Sequence, residues 1–124
     1  MLVVVALLGA LLLVWWALRV RAARPPAPER VRPADFGLDG GTGRAVILFT
    51  SPYCQACRHW TEALSARGVA YLRFDVKARP DLARRYRVRA TPLVLAVEQS
   101  DGRVVAADRD EPTHEGVERI AAAV

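Results

Sequence analysis

The chain opens on an unbroken apolar stretch and then alternates short apolar runs with polar, Gly- or Pro-marked breaks. Met1 to Leu18 carries no charged side chain. As a helix rising about 1.5 Å per residue it spans ~27 Å, against a hydrocarbon core of about 30 Å. Val20 extends the span if the Arg19 head snorkels to the surface. Trp15 and Trp16 sit where an interfacial aromatic pair belongs. The pattern predicts one transmembrane anchor over residues 1–20. A cleaved signal peptide is the competing reading, but a basic leading region is missing and no persuasive small-residue cleavage site precedes Pro25.

Ala45-Val46-Ile47-Leu48-Phe49 is a continuous apolar run, which suits a strand buried on both faces. From Gln55 to Arg67 the apolar positions Ala56, Trp60, Ala63 and Leu64 fall on one helical face, and Gly68 supplies a stop. In Val69 to Asp75, Val69, Tyr71 and Arg73 alternate against Ala70, Leu72 and Phe74 as a second strand. Strand, helix and strand in this order form a βαβ unit with parallel strands. Pro80-Asp81 opens a short helix through Tyr86, with Leu82 and Tyr86 inward. Leu93 to Val97 is a third strand. Ser100-Asp101-Gly102 turns the chain into a fourth over Arg103 to Ala107. Thr113 caps a last helix, whose inner stripe is read as Val117, Ile120, Ala121 and Val124. Gly116 inside it costs about 1 kcal/mol of helix propensity.

Between anchor and first strand, residues 21–43 read as a linker. Arg24-Pro25-Pro26-Ala27-Pro28 favours an extended spacer, and Asp39-Gly40-Gly41-Thr42-Gly43 a flexible turn. Charge sharpens this division. The 124-residue chain carries a formal +5, yet residues 19–32 alone hold five Arg (19, 21, 24, 30 and 32) against Glu29. The basic excess is therefore a collar beside the anchor, and residues 33–124 are almost neutral. A nucleic-acid reader carries its basic patch on the folded domain, so no nucleic-acid partner is expected. The cluster Arg84, Arg85, Arg87 and Arg89 reads as a solvated face offset by Asp75 and Asp81, with Arg89 near enough to the Thr91-Pro92 loop to meet a substrate. By the positive-inside rule the collar puts the domain on the cytoplasmic face. The alternative is a domain outside the cytoplasm.

The two cysteines, Cys54 and Cys57, are spaced C-x-x-C. Such a pair near a βα pattern reads as a redox motif. Cys54 follows a strand and opens a helix, where unpaired N–H groups and the helix dipole stabilise a thiolate. The thiolate is the nucleophile, so Cys54 is the expected attacking residue. Cys57, one turn on, is placed to resolve the mixed disulfide. Gln55, Ala56, Arg58 and His59 are candidates for tuning the pair, the last two by positive charge. A zinc half-site lacks ligands, since only His59 and His114 accompany the cysteines. Arg58 separates Cys57 from His59, so the covalent-haem pattern is absent. An inert disulfide would close too short a loop to add much stability. No dinucleotide fingerprint is present, and no cofactor or metal is expected.

The run Phe49-Thr50-Ser51-Pro52-Tyr53-Cys54-Gln55-Ala56-Cys57-Arg58 resembles the active-site segment of the thioredoxin superfamily. Val88-Arg89-Ala90-Thr91-Pro92 resembles that family's loop before the third strand. Phe74-Asp75-Val76 with Pro80, Leu82 and Tyr86 resembles its strand and short helix, and Asp101-Gly102 its hairpin. The resemblance covers residues 44–124. It implies an α/β, minimal thioredoxin-like fold: a four-stranded mixed sheet flanked by helices, here preceded by one transmembrane helix. It also implies a cis-proline at Pro92 facing the cysteines, and a Thr91 backbone that pairs with an extended substrate. Tyr53 stands where many members carry Trp, beside the substrate path. Two departures stand out. Gln55-Ala56 replaces the Gly-Pro of the family's reductases, and Leu48 occupies the position of their buried proton-transfer acid.

The function expected is thiol–disulfide exchange on protein dithiols or disulfides, tethered to a membrane, with an electron donor or acceptor the sequence does not name. The alternative is a thioredoxin-fold binding module, an adaptor or metallochaperone whose thiols do not turn over. Leu48 motivates that alternative.

Overall fold

The computed structural model describes residues 1–22 and 25–124; Arg24, one of the basic collar, lies outside them. Helix α1 (Leu2–Ala22) has no acidic residue in its first turn and ends on Arg19 and Arg21. It is long and apolar enough to cross a membrane. The Arg19 guanidinium lies 4.9 Å from the Trp15 ring centroid, a cation–π contact at the helix end.

The domain follows as β1 (Arg44–Thr50), α2 (Gln55–Ala66), β2 (Tyr71–Asp75), α3 (Pro80–Arg85), β3 (Leu93–Glu98), β4 (Val104–Arg109) and α4 (His114–Ala122). The four strands form one mixed sheet in the order β2-β1-β3-β4. β1 and β2 are parallel, in register Val46 to Tyr71 through Thr50 to Asp75. β3 runs antiparallel to β1, and β4 antiparallel to β3. Strand alternation sorts the core into two layers. Val46, Leu48 and Val94 face Trp60 and Leu64 of α2 and Val117 and Ile120 of α4. Ile47, Phe49, Leu93, Leu95 and Val97 face Leu82 of α3 and Tyr86. β1 and β3, covered on both sides, are therefore continuously apolar from Ala45 to Phe49 and from Leu93 to Val97, as a doubly covered strand requires.

The second layer holds two residues read from sequence as linker. Val31 and Phe36 are buried, the latter in a single 3-10 turn (Pro33–Phe36). The Phe36 ring meets Phe49, Phe74 and Tyr86 at centroid distances of 5.8, 5.0 and 5.4 Å. This segment covers a sheet face that would otherwise expose Phe49 and Phe74 to water. Its backbone also pairs with the hairpin: Val31 N donates to Gly102 O and Val104 N to Glu29 O, at 2.8 and 2.9 Å. Gly102, at φ 75°, lies so close under the Val31 carbonyl that a Cβ there would collide with it. The Asp101-Gly102 turn thus closes the hairpin and receives the incoming chain.

Three sequence expectations shift. Val124 lies beyond α4 and is exposed, because the helix ends at Ala122 and leaves nothing for it to cover. β2 starts at Tyr71, since Val69 N donates to Leu64 O and completes the end of α2. β4 runs on to Arg109, beyond Ala107. Gly116 has a packing reason: a Cβ there would meet the Asp108 carboxylate on β4, which binds Arg119 at 2.8 Å.

Candidate functional site

β1 ends at Thr50, and Ser51-Pro52-Tyr53 carries the chain to the start of α2. Tyr53 adopts φ 62°, a left-handed conformation uncommon for a residue with a Cβ. Its side chain is fully exposed. Cys54 then takes the N-cap position with extended backbone (φ −83°, ψ 103°), and its Sγ accepts from Cys57 N–H at 3.2 Å. One of the helix's unsatisfied donors is thereby directed at that sulfur. Cys54 and Cys57 form a disulfide, with Cα atoms 5.3 Å apart. Cys57 is buried at 3% exposure and Cys54 is half-buried, so the outer sulfur is the one at the N-cap.

A cleft of about 310 Å³ opens beside the disulfide. It is lined by Thr50 to Cys54 and by Cys57, Arg58, Thr61 and Arg73. Tyr53, Cys54, Cys57 and Arg58 of the sequence-predicted set meet there. Gln55 is exposed on the first turn of α2 and Ala56 half-buried, and neither lines the cleft. Thr91 and Pro92 stand on the loop before β3. The peptide bond between them is cis, and Pro92 is buried. That loop is tied to the cysteine loop by a hydrogen bond between Ser51 Oγ and Thr91 Oγ1, 2.6 Å long.

Ser51 was not among the expected site residues. Nothing local marks it, because its partner is a turn 40 residues away. Arg73, read simply as one position of an alternating strand, is another addition, as are Thr50, Pro52 and Thr61. The His59 ring meets a carboxylate, its Nδ1 lying 2.7 Å from Glu111 Oε2. His114 is exposed on α4. Arg89 is exposed and belongs to a separate hollow with Arg87 and Arg109. The acids expected to offset the arginine cluster bind elsewhere. Asp81 pairs with Arg79 at 3.2 Å, Asp75 accepts from Lys77 N–H, and Arg85 is held by Asp35 at 2.8 Å. Trp60 is core, fully buried under the sheet, its Nε1 donating to Asp110 O at 2.8 Å. Leu48 is fully buried, an apolar side chain where the resemblance implies an acid in reductases. Among the described residues, no cluster of three or more His, Cys, Asp or Glu side chains is placed to hold a metal ion.

No family model matches the chain, and neither does any curated protein sequence. Solved structures do. A thioredoxin from Malassezia sympodialis superimposes with a TM-score of 0.60 at 17% identity, covering 72% of this chain and 84% of that one. The chain has the thioredoxin fold. The thioredoxin pre-protein of Schistosoma mansoni matches at TM-score 0.56 and 17% identity, over 67% of this chain and 81% of its own. The germline-specific thioredoxin Deadhead of Drosophila melanogaster matches at 0.56 and 22%, over 65% and 81%. In this thioredoxin fold Cys54 of the C-x-x-C pair caps the helix that follows β1, and β3 and β4 run antiparallel to their neighbours.

Proposed function

We propose that the protein is a thiol–disulfide oxidoreductase acting on protein dithiols or disulfides, held at a membrane by α1. The observation that carries this reading is Cys54 Sγ at the N-cap of α2, accepting the Cys57 N–H at the edge of an open cleft. A sulfur so placed is stabilised as thiolate by the helix N-terminus. In the reduced protein the Cys54 thiolate attacks one sulfur of a substrate disulfide, and the other substrate sulfur leaves as a thiolate that takes up a proton. Cys57, losing its proton, then attacks Cys54 Sγ. The second substrate thiol leaves, and the Cys54–Cys57 disulfide forms. The reverse sequence oxidises a substrate dithiol. Net direction follows the pair's potential against that of the compartment.

Tyr53, Thr91 and Pro92 are assigned to the substrate path, with Gln55, Ala56 and Arg58 flanking the sulfurs. Supporting the assignment of Thr91 is the Ser51 bond that fixes its loop against the cysteine loop. The test is covalent trapping. Cys57→Ser should accumulate mixed disulfides at Cys54 that reductant releases, and Cys54→Ser should accumulate none. No trapped species, together with no turnover of a model disulfide under dithiothreitol, would remove the assignment.

Supporting the tether are the length and apolarity of α1 and the basic residues that end it. The charge asymmetry favours a domain on the cytoplasmic face. A reporter active only outside the cytoplasm, fused after Val124, should stay silent.

A second reading, a binding module whose thiols do not turn over, is favoured by the apolar Leu48. It requires a Cys54 thiol titrating near the unperturbed value of about 8.5, and a direct titration separates the two.

A further inference from the structure

The cleft beside the disulfide has a charge pattern that thiol exchange alone does not explain. Arg73 projects from β2, the edge strand, directly across from Leu48 of β1. Arg58 reaches the same cleft from the first turn of α2. No acidic side chain lines it, and the remaining polar lining is Thr50, Ser51, Thr61 and Tyr53. Among the described residues, neither the Arg58 nor the Arg73 side chain has an ion-pair or hydrogen-bond partner. Most other domain arginines do: Arg44, Arg67, Arg79, Arg85, Arg103 and Arg119 all bind carboxylates. Two guanidiniums without a partner among the described residues therefore line the same hollow as Cys54 and Cys57. A guanidinium fork fits a carboxylate in two-point geometry.

We propose that this cleft selects substrates by a carboxylate next to the reacting cysteine, so that the preferred partner is an acidic polypeptide segment carrying a Cys flanked by Asp or Glu. The inference rests on the oxidoreductase reading and names its substrate class. Arg73 and Arg58 receive the flanking carboxylate while the substrate sulfur meets Cys54. The exposed Tyr53 ring at the rim gives the chain beside it an aromatic surface. A volume of about 310 Å³ holds a few side chains and not a folded surface, which points to an extended or loop segment. A lysine in the flanking position would be repelled by both guanidiniums.

The test uses the full-length, detergent-solubilised, oxidised protein and three dithiol peptides, identical except for Glu, Gln or Lys beside the attacking cysteine. The peptide thiolate attacks Cys54 Sγ, the Cys54–Cys57 bond breaks, and Cys57 leaves as a thiolate that takes up a proton. The peptide's second thiol loses its proton and displaces Cys54 from the mixed disulfide. The peptide ends as a disulfide and the protein as a dithiol, two electrons passing from one to the other. Products are quantified by alkylation and mass spectrometry, and each rate is corrected for the peptide's own thiol pKa by its reaction with a small neutral disulfide.

The expected Glu-to-Lys rate ratio is about tenfold or more at low salt, falling towards one near 1 M salt, where the Debye length is ~3 Å. Arg73→Gln should cut that ratio at least ~3-fold, and Arg73→Lys should keep part of it, since the charge remains while the fork is lost. Exchange at equal rates with all three peptides overturns the cleft inference and leaves the oxidoreductase reading standing, as does a ratio that Arg73→Gln does not change. Exchange with none of them removes both.

Discussion

Ser51 Oγ and Thr91 Oγ1 lie 2.6 Å apart, and this one contact joins the loop that presents Cys54 to the loop that carries Pro92. Neither residue is in a strand or helix, and the pair lies just beyond Phe49 and Leu93, the last paired residues of β1 and β3 on that side. Removing the contact with Ser51→Ala or Thr91→Val should cost about 1 kcal/mol, the usual net worth of such a bond. The double variant should show a coupling of comparable size in urea denaturation, since the pair touch each other directly. Exchange rates should fall more in each single variant than the stability loss alone explains. Additive losses with unchanged exchange would mean that the contact does not position the site.

The two sulfurs differ in exposure and in hydrogen bonding, so their reactivity should differ once the disulfide is reduced. Cys57 is 3% exposed, whereas Cys54 is half-buried and accepts a helix N–H. Alkylation by iodoacetamide at neutral pH should modify Cys54 at least ~10-fold faster, and the pH dependence should place its thiol below the free value of about 8.5. Equal labelling of both would contradict the N-cap account. Peptide mapping after brief labelling reads the ratio.

Tyr86 and Asp35 give the domain a pH response. Burial pushes the Asp35 carboxyl up, but hydrogen bonds from Tyr86 and Arg85 together outweigh it and hold it below the ordinary carboxylate range. Burial first, and then the bond to Asp35, raise the Tyr86 phenol. The signs follow. A depressed acid contributes stability that is present above its unfolded pKa of about 3.9 and is lost as pH falls through its folded value. A raised phenol contributes stability that is present below about pH 10 and is lost as pH rises through its folded value. Tyr86→Phe removes the donor to Asp35 and the acceptor of Arg32 N–H, whose bond is 2.9 Å. At neutral pH it should destabilise by about 1–2 kcal/mol. It should also flatten the stability profile above pH 10 and raise the Asp35 pKa. A variant with the wild-type profile on both limbs would show that the phenol is not coupled to the fold.

Most of the architecture was legible because its signals are periodic. The apolar run at Ala45 to Phe49 required a strand covered on both faces, and the spacing of Trp60 and Leu64 gave the helix over it. The Asp101-Gly102 turn identified the hairpin through a residue that tolerates φ 75°. Cys54 was legible as standing at the start of a helix because a strand, a break and a helix signal surround it; its N-cap geometry came from the structure. Unread features were those set by tertiary contact. Arg73 becomes part of the cleft only once β2 is placed at the sheet edge beside α2. Ser51 acquires its partner only when the loop before β3 folds back. Val124 was assigned to the core stripe by extending a period past the last helical residue, where packing no longer supports it.

Phe36 is the sharpest case, and its burial bears on where the folding unit begins. A lone aromatic between Pro33 and Gly37 has no period and sits in a stretch whose composition favours an extended spacer. Yet its ring closes the aromatic cluster of Phe49, Phe74 and Tyr86, and the backbone from Glu29 to Val31 joins the hairpin. The residues before β1 therefore act as part of the layer that covers this face of the sheet. Phe36→Ala should destabilise by about 3–5 kcal/mol, as expected for a buried Phe truncated to a cavity. Such a loss is a large share of the margin of a small domain, about 5–15 kcal/mol. A chain starting at Pro25 should be soluble and unfold cooperatively in urea. One starting at Leu38, without Phe36 and Val31, should bind hydrophobic dyes and lose its cooperative transition. Equal stability of the two truncations would return residues 25–37 to the status of a spacer and leave Phe49 and Phe74 to be covered by some other part of the chain.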